Sequence, residues 1–108
     1  MQILDYCTKG GKNLITDFIN SLPQKEQLYI KELREELSCG TPLTLSKFNT
    51  RQLRGKIWEI KHSNIRIFYI LIDDDHIIFL NICKKQKNRT ELFELTKAIQ
   101  RAKSEKLL

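Results

Sequence analysis

Apolar residues change their period along the chain, and each change marks an element. After a short strand candidate, "QILDY", Gly10 and Gly11 break the backbone, and Leu14, Ile15, Phe18, Ile19 and Leu22 then recur at helical spacing. The spacing predicts a first helix of roughly ten residues. Pro23 is tolerated in a first helical turn, and Ile30, Leu33 and Leu37 form the stripe of a second helix that ends near Gly40 and Pro42. The two helices are expected to pair as a hairpin.

Beyond "TPLTLSKFNT" the period becomes that of a strand. Trp58 and Ile60 alternate with Glu59 and Lys61, as on a strand with one buried face. "IRIFYILI" is almost continuous in β-branched and aromatic residues, which predicts a central strand covered on both faces. Asp73, Asp74 and Asp75 interrupt that run and "HIIFLNIC" resumes it, so an antiparallel hairpin and a three-strand meander are expected. Thr90 can cap a last helix lined by Leu92, Leu95, Ile99 and Ala102. Glu91 and Glu94 sit near its positive end, and Arg101 and Lys103 near its negative end. The elements predict an α+β fold: an N-terminal helical hairpin packed on a small antiparallel sheet, with a C-terminal helix. No linker or repeat divides the chain, and 108 residues with 41% hydrophobic content suit one domain over residues 1–108.

Charge adds a partner class to this picture. Nineteen Lys and Arg against 13 Asp and Glu give a net charge of +6, which favours nucleic acid, an anionic membrane or an acidic protein. The first residues lack a signal-peptide pattern and no segment has the length of a membrane span, so a soluble, cytoplasmic protein without membrane attachment is expected. Cys7, Cys39 and Cys83 are odd in number and lack C-x-x-C spacing. They read as reduced packing residues, with neither a disulfide framework nor a zinc site.

Most of the conspicuous short motifs dissolve on inspection. "KGGKN" fails the phosphate-loop pattern because Tyr6 stands where the first glycine belongs and Asn13 follows Lys12. Asp73 to Asp75 with His76 fall where a hairpin must turn, and consecutive strand residues point to opposite faces, so no metal site is expected. His62 and His76 pair with no nucleophile in a known triad order, although His62 closes the strand that carries Lys61. Trp58 and Phe68 are candidates for stacking on bases, with burial in the core the preferred reading.

The cations carry more information. Lys61 ends the first strand of the expected meander, Arg66 begins the second, and Lys84, Lys85 and Lys87 leave the third. Antiparallel neighbours run in opposite directions, so these groups are expected to converge at one end of the sheet as an anion site, with Glu59 as an internal counter-charge. An unpaired guanidinium at Arg66 would be costly in so apolar a strand.

The ordered pieces "LRGKIWEIK", "IRIFYIL" and "IIFLNICKKQK", leading into "ELFELTKAIQRAK", resemble the RelE/ParE toxin superfamily and its phage-related HigB-like branch. The likeness runs from about residue 45 to residue 103 and is strongest over residues 53 to 87. It implies a RelE-like fold and the toxin of a type II toxin–antitoxin pair. The activity implied is a ribosome-dependent endoribonuclease that cuts mRNA without metal or cofactor. The implied partners are a helix-turn-helix antitoxin (HigA-like), the ribosome and mRNA. With the charge reading, the resemblance makes Lys61, Arg66, Lys84 and Glu59 the catalytic candidates. Arg54, Lys56, His62, Lys85, Lys87 and Arg89 become the RNA-binding candidates. The branch commonly has Gly-Phe or His-Phe before its paired lysines and Thr-x-Lys-Thr-Pro after them, where this chain has Ile82-Cys83 and "QKNRT". The same fold also hosts ParE-like gyrase inhibitors, and a non-catalytic phage module that binds RNA or protein is a further reading.

Overall fold

The two most apolar runs of the chain lie at the centre of a sheet because both of their faces are covered. The computed structural model describes residues 1–85 and 88–108, except for the side chains of residues 88–91. In chain order the elements are β1 (Gln2–Asp5), α1 (Leu14–Asn20), α2 (Gln24–Cys39), a 3-10 segment (Pro42–Lys47), β2 (Asn49–Arg54), β3 (Ile57–His62), β4 (Ile65–Asp73), β5 (His76–Lys84) and α3 (Asn88–Ser104). The expected capping role of Thr90 and the placing of Glu91 fall on side chains outside the described residues.

The structure is α+β and holds the expected antiparallel meander as β3, β4 and β5, but the whole sheet is mixed where a small antiparallel one was expected. Five strands are ordered β1-β5-β4-β3-β2, and β1 pairs parallel with β5 while the other pairs are antiparallel. β1 also precedes both N-terminal helices, so the chain does not open on a helical pair. β2, "NTRQLR", has no apolar run to announce it. A polar strand is stable there because it forms the sheet edge, where one side remains in water.

Strand alternation divides the core into two layers. Ile60, Ile65, Ile67, Tyr69, Ile77, Phe79 and Ile82 pack against Ile15, Leu22, Ile30, Leu33 and Leu37 of the α1/α2 layer. Ile57, Phe68, Ile70, Ile78, Leu80 and Cys83 face the other way, toward Ala98 and Ala102 of α3. The α2 layer is fastened to the sheet by a two-pronged ion pair, Arg34 Nη1 to Asp5 Oδ1 at 2.9 Å and Nη2 to Oδ2 at 3.0 Å. Phe68 is a core residue, as expected, whereas Trp58 is 37% exposed and lines a cavity of about 330 Å³ with Leu45, Tyr69 and Leu71.

A bulge in β5 decides which side chains share a face. Tyr69 opposes Phe79 while Phe68 opposes Asn81, so Leu80 is an extra residue and the alternation of β5 shifts by one beyond it. Leu80 and Asn81 therefore both serve the α3 layer. Arg101 donates to Leu80 O at 2.9 Å and to Asn81 Oδ1 at 3.2 Å, and Asn81 Nδ2 donates to Glu94 Oε2 at 2.6 Å. These bonds fix α3 to the irregular part of the strand.

The exit from α2 depends on a close approach. A Cβ on Gly40 would lie 2.0 Å from Thr44 Oγ1 and 2.9 Å from Thr44 Cβ. Thr44 Oγ1 also accepts the Thr41 N–H at 3.1 Å, so the side chain cannot simply rotate away without losing that bond. Gly40→Ala is expected to cost about 1–3 kcal/mol, as overpacking does in tight sites. Chemical denaturation would show it as a lower midpoint at unchanged slope, and an unchanged midpoint would mean that the 3-10 segment shifts freely.

Candidate functional site

The α3 face of the sheet carries two rows of chemistry-bearing residues, set by strand register. One row runs Arg51, Glu59, Phe68, Asn81 across β2, β3, β4 and β5, and the next runs Asn49, Lys61, Arg66, Cys83. Members of the two rows lie two residues apart along each strand, roughly 7 Å. Glu59, Lys61 and Arg66 thus form a cluster on one face, because Ile60, Ile65 and Ile67 between them all face the other layer.

Two members of this cluster are charged and buried. Glu59 is 1% exposed and Arg66 is 6% exposed. Arg51 Nη2 lies 2.8 Å from Glu59 Oε1 and comes from the exposed edge strand. Among the described residues neither Glu59 carboxylate oxygen accepts a hydrogen bond of ordinary geometry, which is uncommon for a buried polar group. Arg66 Nη1 donates to Ser63 O at 2.7 Å and to Ile65 O at 2.9 Å. Ser63 has a φ of 52°, in the left-handed region that non-glycine residues seldom adopt, so Arg66 braces a strained turn between β3 and β4.

α3 brings a second charged pair to the same face. Glu94 is held by Asn81, and Lys97 Nζ lies 3.6 Å from Glu94 Oε1. Cys83, the register partner of Arg66, sits within the field of both groups. Burial first, then the Glu94 and Glu59 carboxylates, pushes its thiol up to about 12, against the opposing pull of Arg66 and Lys97. A thiol so placed stays protonated and is no nucleophile. Of the three cysteines expected to be packing residues, Cys83 is buried while Cys7 and Cys39 are exposed.

The remaining expected cations are distributed otherwise. Lys84 opposes Ile65 on the α1/α2 face and lies 3.7 Å from Glu26 of α2, so the sheet separates its ammonium from Arg66. The expected convergence at one end of the sheet holds for strand position but not for face. His62 is also on the α1/α2 face, stacked on Tyr29 with ring centroids 3.4 Å apart. Arg54 and Lys56 flank Gly55 in the β2–β3 turn, at the far end of β3 from Lys61, about 15 Å at the strand rise. Lys85 follows β5, and its N–H donates to Asn64 O at 2.6 Å, beside the Arg66 turn. Lys87 and the side chain of Arg89 lie outside the described residues.

Asp73 Oδ1 and His76 Nδ1 are 2.8 Å apart in the exposed β4–β5 turn, and that hydrogen bond holds the Asp73 carboxyl below its ordinary value. No group of three His, Cys, Asp or Glu among the described residues could hold a metal ion. No helix among them is long and apolar enough to cross a membrane. Arg51, Glu94 and Lys97 were missed as site residues. Arg51 stands in a strand without an apolar pattern, and Glu94 and Lys97 read as the ordinary polar positions of an amphipathic helix.

The chain is thus a small basic α+β protein with buried charge at one end of its sheet. Residues 17–103 match the family described as Phage derived protein Gp49-like (DUF891), and the chain belongs to that family, which is associated with RelE-like toxins. No curated protein matches the chain.

Proposed function

We propose that this protein is the toxin of a type II toxin–antitoxin pair of the HigB-like kind. Its activity is that of a ribosome-dependent mRNA endoribonuclease, centred on the α3 face of the sheet. The observation that carries the reading is the buried Glu59 carboxylate, which among the described residues accepts no hydrogen bond of ordinary geometry and is met only by the half-exposed Arg51, one residue row from the Arg66 guanidinium. A carboxylate with open acceptor positions suits a base that takes a proton from a hydroxyl.

Cleavage then proceeds by in-line attack. Glu59 takes the proton of the ribose 2′-OH, the 2′-oxygen attacks the adjacent phosphorus, and the bond from phosphorus to the 5′-oxygen breaks. The products are a 2′,3′-cyclic phosphate and a 5′-hydroxyl. Arg66 stabilises the charge of the phosphorane, for which a planar fork is well shaped. Lys61, the register partner of Arg66, supplies the proton to the leaving 5′-oxygen. Arg51 closes over Glu59 in the free protein, and a substrate phosphate competes for that half-exposed guanidinium and draws it off. Lys84, across the sheet and paired with Glu26, takes no part in the bond-making steps. Lys85 and the turn cations Arg54 and Lys56 hold ribosomal or messenger RNA phosphates, and the ribosome orients the substrate. A helix-turn-helix antitoxin restrains the toxin.

Induction in bacteria is the test. Growth arrest with mRNA cuts inside translated reading frames is expected, relieved by co-expression of a cognate antitoxin. Arrest with intact transcripts and stalled gyrase would transfer the protein to a ParE-like activity, and unaffected growth would make it a non-catalytic module.

A further inference from the structure

Two large apolar residues stand in water at the start of the described part of α3. Leu92 is 72% exposed and Phe93 is 64% exposed, although the inner stripe of the same helix, through Leu95, Ala98, Ile99 and Ala102, is packed on the sheet. Core packing therefore does not account for Phe93. Its ring carries the Lys97 ammonium 4.9 Å from the centroid. Lys97 is tied to Glu94, Glu94 to Asn81, and Asn81 to the bulge of β5, so the cation beside the ring is linked to the sheet. Asn81 lies in the same row as Glu59, two strands away, about 10 Å at the strand spacing.

We propose that Phe93 is a stacking platform for an unpaired nucleobase of single-stranded RNA, with Lys97 contacting the flanking phosphate beside the Glu59–Arg66 cluster. The inference rests on the nuclease reading for its substrate and adds the residue that seats a base next to the cleaved bond. An exposed ring beside a cation is the pairing that sequence-tolerant RNA binding uses, because every base has a π-face to stack. Arg51, Lys61 and Lys97 on the same face provide positive charge for the strand on which that base is carried. An apolar protein partner would value Leu92 and Phe93 for their area alone, whereas a base requires the π-face.

The test compares Phe93→Ala, Phe93→Leu and Phe93→Trp in the full chain. Binding of a short fluorescein-labelled oligoadenylate would be read by anisotropy at low salt, alongside mRNA cleavage on ribosomes. Phe93→Ala and Phe93→Leu are expected to weaken oligonucleotide binding about tenfold, with Phe93→Trp binding as the wild type does. Binding by Phe93→Leu equal to wild type would overturn the platform and leave an apolar surface. Wild-type cleavage with binding unaffected by Phe93→Ala, or with no oligonucleotide binding at all, would overturn the platform while the nuclease reading stands. A wild-type protein that neither binds nor cuts RNA would remove both.

Discussion

Arg66→Ala is expected to slow mRNA cleavage on saturating ribosomes by about 10²–10³-fold, the usual effect of removing one preorganised donor from a developing anion. The substitution also releases the Ser63 and Ile65 carbonyls, which costs about 1–3 kcal/mol of stability if water does not replace the guanidinium fully. The two effects are separable. Cleavage should be compared well below the melting temperature, where both proteins are folded, and the loss should remain. Arg66→Lys should recover little, because an ammonium cannot reach two carbonyls and two phosphate oxygens with one fixed plane. Cleavage that returns fully once folding is ensured would reduce Arg66 to a brace of the strained β3–β4 turn.

Glu59 gives the second large effect, and here activity and stability are expected to move in opposite directions. Glu59→Gln keeps the shape and removes the base, so cleavage should fall by about 10²–10⁴-fold. Glu59→Leu should abolish cleavage too, yet it replaces a buried carboxylate, which among the described residues accepts no hydrogen bond of ordinary geometry, with an apolar side chain opposite Phe68. Exchanging a whole buried ion pair for apolar side chains is often neutral or stabilising by about 1–4 kcal/mol. Arg51 returns to solvent at little cost, since it comes from the exposed edge strand. A higher melting temperature with no cleavage is therefore the expected signature of a residue retained for chemistry. Marked destabilisation by Glu59→Leu would instead make the Arg51–Glu59 pair a structural tie between β2 and β3.

Much of the site's local composition was legible in the chain. Alternation in "IWEIK" puts Glu59 and Lys61 on one face whatever the sheet does next, and the uninterrupted apolar run "IRIFYILI" marks Arg66 as a charge in a buried strand. Antiparallel direction then brings Lys61 and Arg66 together as register partners, a consequence of connection length alone. The acidic turn at Asp73 to Asp75 is equally local.

Lys84 shows where that reasoning stops. Counting alternate residues along β5 from Ile77, without interruption, puts Lys84 on the same face as Arg66. The extra residue at Leu80–Asn81 reverses the parity, sends Lys84 to Glu26 of α2, and brings Cys83 and Asn81 to the α3 face instead. Nothing in "HIIFLNICK" announces the bulge, because it is stabilised by Arg101 and Glu94, residues that approach only when α3 packs. β1 pairs with β5 for a similarly non-local reason, and polar β2 becomes a strand only because β3 offers it an edge. Side-chain period and turn chemistry act over a few residues and can be read directly from the chain. The face on which each cation lies was decided by tertiary structure, because one residue of register moves a side chain to the other side of the sheet.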